Sequence, residues 1–122
     1  MSDLLLFVCT ANICRSPMAA ALYNFHAQKH AAGDPWIVRS AGTWAVENQA
    51  VSAHVITVMA RRGIPIENHR AHQITREDME QASVIIVMTR NHRDALASEF
   101  PGQGAKLHMM SELDGREYDI AD

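Results

Sequence analysis

Hydrophobic residues in this chain form short unbroken runs, separated by stretches in which they recur every three or four positions. Residues 4–8 (Leu-Leu-Leu-Phe-Val) and 84–88 (Val-Ile-Ile-Val-Met) are apolar throughout. Such runs are typical of strands buried on both faces of a parallel sheet. Residues 36–40 and 106–110 form weaker runs and predict two further strands. Four strands are therefore expected.

Between these strands, hydrophobic residues recur at helical spacing over most of the sequence. Ser16 and Ser52 are expected to cap the first two helices, because Ser favours the position that precedes a helix. A short third helix opens at Thr75, and a fourth covers residues 90–100. Helices and strands therefore alternate along the chain.

This alternation predicts an α/β fold, a three-layer sandwich around a doubly wound, four-stranded parallel sheet with residues 4–8 as a central strand. Ligands of such folds bind beyond the carboxyl ends of the strands, where the winding reverses. The loop after residues 4–8 is expected at that point. The length of 122 residues fits one domain spanning residues 1–122.

Composition and charge exclude several classes of function. Hydrophobic residues make up 48% of the chain and charged residues 20%, which is typical of a globular protein. No apolar run approaches the ~20 residues needed to cross a bilayer. A net charge of −3 gives no basic surface for nucleic acid. With two cysteines and no secretory signal, we expect a cytoplasmic monomer or weak homodimer that needs no metal and no cofactor.

The residues best suited to catalysis lie in the loop between the first strand and the first helix. In this loop Arg15 follows Cys9 by six positions. Backbone N–H groups and the positive end of a helix converge at such a junction and favour both a thiolate and a phosphate group. The Arg15 guanidinium can hold two phosphoryl oxygens, and the Ser16 hydroxyl can donate to the Cys9 sulfur. The spacing alone is weak evidence, but with its structural context it indicates a cysteine-dependent phosphatase.

Residues 8–17 (Val-Cys-Thr-Ala-Asn-Ile-Cys-Arg-Ser-Pro) resemble the signature V-C-x-G-N-I-C-R-S-P of the low-molecular-weight protein tyrosine phosphatase family. The similarity continues through residues 40–43, 62–64, 68–75, 78–79 and 87–88. It implies hydrolysis of protein phosphotyrosine, an aryl phosphate monoester, through a phosphocysteine intermediate. A phosphorylated protein is then the substrate, and phosphate or another oxyanion is the ligand of the loop.

The resemblance also implies a role for each residue of the site. Cys9 is then the nucleophile and Arg15 the phosphate-binding group. The substrate-binding residues of the loop are Thr10, Ala11, Asn12, Ile13, Cys14, Arg15 and Ser16. The supporting residues are Ser16, Asn12, Ser40 and His69. Ala11 replaces the family's Gly, so either Asn12 alone takes the left-handed backbone conformation or the loop is slightly reshaped.

The last residues resemble the stretch that leads into the family's general acid. Residues 118–122 (Tyr-Asp-Ile-Ala-Asp) end at Asp122, which the resemblance assigns as proton donor to the leaving oxygen and then as base for water. Asp119 is the alternative acid. The family's Pro, aromatic residue and final helix do not follow Asp122, so we expect a truncated C-terminus without the C-terminal helix.

Two residues near the loop allow more than one interpretation. Trp44 is expected either to form one wall of a slot for the aryl ring or to pack in the core or an interface. Cys14 either packs or forms a reversible disulfide with Cys9 that shelters the nucleophile.

Three other functions remain as alternatives. A protein phosphoarginine phosphatase is suggested by residues 89–92 (Thr-Arg-Asn-His), because many tyrosine phosphatases carry Asp directly after Met at this place. The aliphatic Ile13 favours packing on an aryl ring instead. An arsenate reductase is less favoured because no cysteine follows Cys14, and a catalytically silent phosphate-binding module is less favoured because of Arg15.

Overall fold

The computed structural model describes residues 3–30, 36–115 and 119–120. Within these residues the structure has four strands and four α-helices, with two successive helices between the second and third strands, and two 3₁₀ turns flank the last strand. In chain order they are β1 Leu4–Cys9, α1 Arg15–His30, β2 Ile37–Gly42, α2 Ala53–Arg61, α3 Arg76–Gln81, β3 Val84–Val87, α4 Arg90–Glu99, a turn at Gly104–Lys106, β4 Leu107–Met109 and a turn at Met110–Asp114. No helix in the described ranges is long and apolar enough to cross a membrane.

The four strands form one sheet in the order β2-β1-β3-β4, and every neighbouring pair is parallel. The chain moves from β1 to one side for β2 and then crosses back for β3, so the winding reverses at β1. Cys9 pairs with Gly42 of β2 at the carboxyl edge. The predicted fold class is confirmed, and the loop after β1 lies at the switch point.

Side chains of β1 alternate between two apolar layers. Leu6 and Val8 pack with residues of α3 and α4 on one face, whereas Phe7 and Cys9 pack with α1 on the other. Helix α2 then packs on α1 rather than on the sheet. All six residues of β1 are buried. Because burying one large aliphatic side chain stabilises by about 1.5–3 kcal/mol before entropy is counted, β1 is a firm base for the loop.

Two of the expected helix caps differ from the structure. Helix α1 begins at Arg15, so Ser16 lies in its first turn and is not the cap. Ser52 stands at the N-cap of α2, but its side chain makes no capping hydrogen bond. Thr75 does cap α3, because its hydroxyl accepts from Asp78 N–H while Asp78 reaches back to the Thr75 N–H. The two serines are thus available to the site instead.

Candidate active site

Main-chain carbonyls of the loop between β1 and α1 are directed away from its concave side. They accept hydrogen bonds from outside groups, all at 2.9 Å: Cys9 O from Thr43 N, Thr10 O from Trp44 N, Asn12 O from His69 Nε2 and Ile13 O from Ser52 N. The N–H of a trans peptide points opposite to its carbonyl, and no cis peptide occurs in the described residues. The following N–H groups therefore face the concave side, where they form a nest for an anion.

Cys9 lies at the base of this nest with only 2% of its surface exposed. Its sulfur is 2.9 Å from Ser16 Oγ and accepts from the Ser16 N–H at 3.4 Å. A thiolate can only accept hydrogen bonds, so the Ser16 hydroxyl is the donor in that state. Ser16 belongs to the first turn of α1, where the helix dipole also favours negative charge. These hydrogen bonds fix the Cys9 sulfur at the base of the nest.

A cavity of about 350 Å³ opens above the sulfur. Its lining consists of Cys9, Thr10, Ala11, Ile13, Cys14, Arg15 and Ser52. All but Ser52 were expected from the sequence. The Ser52 signal pointed to helix capping, and only the fold brings this residue to the loop. Trp44 does not line the cavity: its N–H binds the loop, but its side chain is 82% exposed.

Asn12 is the centre of a polar network behind the loop, which we call the rear network. Asn12 is fully buried and alone in the loop has a positive φ, 59°, so Ala11 does not take that conformation. Its amide nitrogen donates to Ser16 Oγ and Ser40 Oγ, and its amide oxygen accepts from His72 N–H, at 2.7–2.9 Å. His69 completes the rear network through the Asn12 carbonyl. The network therefore joins Asn12, Ser16, Ser40, His69 and His72.

His72 adds to the rear network an ionisable ring that the sequence did not indicate. Its Nδ1 lies 3.0 Å from Glu47 Oε2 and its Nε2 lies 2.7 Å from Asp78 Oδ2. Both ring nitrogens can donate at once only in the protonated imidazolium. Partial burial disfavours that charge, but the hydrogen bonds to the two carboxylates outweigh it and raise the pKa of His72 above 6.5. Hydrogen bonds from Gln73 N–H and from His72 lower the pKa of Glu47.

The opposite side of the loop is held by a second set, Thr10, Arg15, His92 and Ile120, which we call the front network. Thr10 Oγ1 lies 2.8 Å from His92 Nε2 and 3.4 Å from Arg15 Nη2. Arg15 Nη1 donates to the Ile120 carbonyl at 2.8 Å. The sequence did not suggest the contact between Thr10 and His92, because 82 positions separate them.

The two candidate acids differ in what the structure describes. Asp119 Oδ1 accepts from the Arg90 N–H at 2.8 Å, so this carboxylate binds the first turn of α4. Ile120 N–H donates to the Met88 carbonyl at 2.8 Å. These bonds hold residues 119–120 beside Arg15. Asp122 lies outside the described residues, so its assignment stays a prediction.

Two further properties of the site are the oxidation state of its cysteines and its capacity to hold a metal ion. Cys9 and Cys14 are both reduced thiols, so the reversible disulfide stays a hypothesis. In the part of the chain that the structure describes, no three His, Cys, Asp or Glu side chains are grouped to hold a metal ion.

A buried thiol beneath converging peptide N–H groups, with an arginine at the rim, can bind a tetrahedral oxyanion and attack its central atom. On a parallel sheet with this loop at the switch point, these features define the class of cysteine-dependent phosphatases. The chain belongs within that class to the low molecular weight phosphotyrosine protein phosphatase family, whose family model matches residues 4–122. The resemblance seen in the sequence is confirmed.

Individual relatives are named for two different kinds of substrate. The chain is 38% identical to a protein-arginine-phosphatase of Geobacillus stearothermophilus, over 97% of this chain and 76% of that protein. It is 34% identical to the probable low molecular weight protein-tyrosine-phosphatase EpsP of Ralstonia nicotianae, over 100% and 79%. Its fold matches a low molecular weight protein tyrosine phosphatase from T. tengcongensis with a TM-score of 0.91, at 36% identity over 99% of this chain and 82% of that one.

Proposed function

We propose that this chain hydrolyses phosphotyrosine in proteins through a covalent phosphocysteine intermediate. The observation that carries the proposal is the position of the Cys9 sulfur, at the base of the anion nest and within 2.9 Å of the Ser16 hydroxyl. A phosphoryl group seated in the nest has its phosphorus facing this sulfur. Nucleophilic attack then needs no large movement of the loop.

The reaction has two steps. In the first, the Cys9 thiolate attacks phosphorus, the P–O bond to the tyrosine oxygen breaks, and Asp122 gives its proton to that oxygen. In the second, Asp122 takes a proton from water, the water oxygen attacks phosphorus, the P–S bond breaks, and inorganic phosphate leaves. Cys9 returns as thiolate and Asp122 as acid, so the cycle closes with water as its one co-reactant.

Most of the acceleration is expected from the nest and Arg15 rather than from the thiolate. An ordinary thiol is a few per cent ionised at pH 7, so full ionisation gains only ~30-fold, about 2 kcal/mol. The three equatorial oxygens of the transferring phosphoryl group carry the charge that develops in the transition state. Fixed N–H groups and a bidentate guanidinium stabilise that charge without reorganising.

The choice of an aryl phosphate depends on Ile13. This residue lines the cavity beside the sulfur, and its side chain offers an apolar surface without a hydrogen-bonding group. An aryl ring can pack on such a surface, whereas a phosphorylated guanidinium would leave its N–H groups without a partner there. Protein phosphoarginine is the second candidate, favoured by the 38% identity to a protein-arginine-phosphatase.

Paired substrates decide between the two candidates. The release of phosphate is measured from one peptide carrying phosphotyrosine and from the same peptide carrying phosphoarginine. We expect a higher kcat/KM for phosphotyrosine, and we expect Ile13→Thr to move the ratio toward phosphoarginine by roughly tenfold, the value of one hydrogen bond. Ile13→Val is the control, because Val has nearly the same shape as Thr but lacks the hydroxyl. A higher kcat/KM for phosphoarginine in the unaltered chain would overturn the choice of substrate.

Substitutions of Cys9 and the two aspartates test the chemistry itself. Cys9→Ser should abolish turnover of both peptides, and retained activity would exclude the covalent route. Asp122→Asn should lower kcat by 10² to 10⁴-fold for phosphotyrosine. The loss should be much smaller for an aryl phosphate whose leaving oxygen needs no proton. Asp119→Asn is the matched control, because Asp119 binds the Arg90 N–H; a larger loss there would exchange the two assignments.

A further inference from the structure

His92 is buried in α4, far from Cys9 in the sequence, and yet it contacts the loop directly. It is only 4% exposed, and its Nε2 lies 2.8 Å from Thr10 Oγ1. Thr10 follows the nucleophilic Cys9 and lines the same cavity. A buried side chain with a polar atom on the first residue of the loop is suitably placed to fix that residue.

The hydrogen bonds around His92 define which nitrogen carries the proton. Thr89 N–H donates to His92 Nδ1 at 3.2 Å, as part of a capping box in which Thr89 Oγ1 accepts from His92 N–H. Because a backbone N–H can only donate, Nδ1 accepts and carries no hydrogen. In the neutral ring the proton is then on Nε2, and His92 donates it to Thr10 Oγ1.

The donation from His92 determines which hydrogen bonds the Thr10 hydroxyl can still make. Its oxygen accepts from His92 Nε2 on one side and, over a longer 3.4 Å, from Arg15 Nη2 on the other. A hydroxyl oxygen has two lone pairs and one hydrogen. With both lone pairs engaged, the hydrogen of Thr10 is available to donate to an oxyanion in the cavity that Cys9 and Arg15 also line.

We propose that His92 is a positioning residue for the phosphate loop, which acts through Thr10 to hold the Thr10 hydroxyl and the Arg15 guanidinium against the transferring phosphoryl group. The proposal rests on the phosphatase chemistry given above. His92 itself does not touch the substrate. Its contribution appears in the transition state, when the charge on the phosphoryl oxygens is greatest.

Two substitutions at His92 separate positioning from helix capping. His92→Gln extends far enough to keep an N–H donor near the place of Nε2, so it should retain kcat/KM for p-nitrophenyl phosphate within threefold. His92→Asn is too short to reach Thr10 but keeps an acceptor for the Thr89 N–H, so kcat/KM should fall roughly tenfold, the value of one hydrogen bond. Thr89→Ala removes the hydroxyl of the capping box and leaves the donor to Thr10 in place. It should lower thermal stability with little change of kcat per folded molecule.

Thr10→Val supplies the second arm, because it removes the acceptor. It should cost at least this factor alone, because it also removes the acceptor for Arg15. Adding His92→Asn to it should change kcat/KM less than twofold, since the contact between Thr10 and His92 is already broken. Additive losses in the double variant, equal losses for Gln and Asn, or full activity of His92→Asn per folded molecule would each overturn the proposal.

Direct binding of oxyanions distinguishes this proposal from the proposed function. Vanadate mimics the five-coordinate transition state and phosphate mimics the product. Calorimetry should show that His92→Asn weakens vanadate binding by about the same tenfold factor while phosphate binding changes less than threefold. A chain that binds vanadate without hydrolysing any phosphate ester would overturn the proposed function, and the vanadate comparison would still decide on His92. Equal weakening for the two anions would count against a transition-state role.

Discussion

The rear and front networks hold the same loop in different ways. The rear network centres on a fully buried Asn12, whose side-chain bonds of 2.7–2.9 Å reach α1, β2 and the segment between α2 and α3. The front network centres on Thr10, which is exposed and binds Arg15 through a longer contact of 3.4 Å. Breaking a bond in a buried network costs more than breaking one that water can replace.

This difference suggests a division of labour. The rear network fixes the course of the main chain, and so decides where the peptide N–H groups point. The front network contains Thr10 and Arg15, the side chains that we propose to meet the phosphoryl group, and therefore has to adjust as the ligand enters and leaves. Substitutions behind the loop should lower stability and activity together, whereas those in front should lower activity with less effect on stability.

The largest effect is expected from Asn12→Ala. The substitution leaves Ser16, Ser40 and the His72 N–H without their partner, and it places Ala at a φ of 59°. We expect a loss of about 3 kcal/mol in the free energy of unfolding, since each buried unsatisfied group costs ~1–3 kcal/mol. The activity should fall at least ~100-fold, because a displacement of about 1 Å has that effect. Denaturant unfolding and steady-state kinetics measure both quantities.

Asn12→Gly is the matched control for this prediction. Gly removes the same hydrogen bonds but accepts a positive φ without strain, so it should be more stable than the Ala variant by about 1 kcal/mol. Equal stability of the two variants would show that the positive φ at this position does not destabilise Ala relative to Gly. Normal stability of both would show that the rear network does not hold the loop.

A smaller effect is expected from Gly42→Ala, where β2 passes the front of the loop. A Cβ at this position would clash with the Thr10 carbonyl oxygen and lie 3.2 Å from the Ala11 carbonyl carbon, both of which are main-chain atoms. Relieving the contact requires a shift of the backbone, which costs about 1–3 kcal/mol. We expect kcat/KM to fall more than stability predicts, and thermal melts with kinetics on the folded fraction measure this.

Gly104→Ala tests whether that loss is specific to the loop. The added methyl group would meet no atom within 4 Å, so stability should change by at most about 0.5 kcal/mol and kcat/KM should stay constant. If Gly42→Ala behaved like Gly104→Ala, the close approach of β2 would have no bearing on the position of Thr10.

The smallest effect concerns pH and the charge on His72. Because its pKa is raised in the folded chain, the imidazolium stabilises fully below about 6.5, and this stabilisation is lost as the pH rises through the higher folded value. The lowered pKa of Glu47 acts at the other end, where its contribution disappears as the pH falls below 4.5. The His72 side chain is 40% exposed, so solvent screening limits the effect to about 0.2–1 kcal/mol.

Melting temperatures measured between pH 5 and 9 test this prediction on three chains. The unaltered protein should lose a few degrees on the alkaline side. His72→Arg keeps a positive charge between Glu47 and Asp78 over the whole range and should remove the decline. His72→Gln should start lower and show no decline. A decline that persists in the Arg variant would have to arise from another group.

Local sequence patterns predicted the features of the fold and site that depend on residues close together in the sequence. The unbroken apolar runs gave the central strands, and the Cys9 to Arg15 spacing gave the loop, because both depend on neighbours a few positions away. Ser16 shows the limit: the sequence allowed its hydroxyl both to cap the first helix and to donate to Cys9, and only the fold decides for Cys9. His92 reaches Thr10 from 82 positions away, a contact set by how α4 packs on the sheet.

The outward turn of the loop carbonyls has a consequence for how such a site can change over time. Peptide N–H groups are supplied by every residue type except proline, so the grip on the oxyanion is independent of most side chains that surround it. Residues at the rim, such as Ile13 and Ser52, can therefore be exchanged while the anion stays bound. A site of this kind can therefore change its specificity for the leaving group while it continues to bind phosphate.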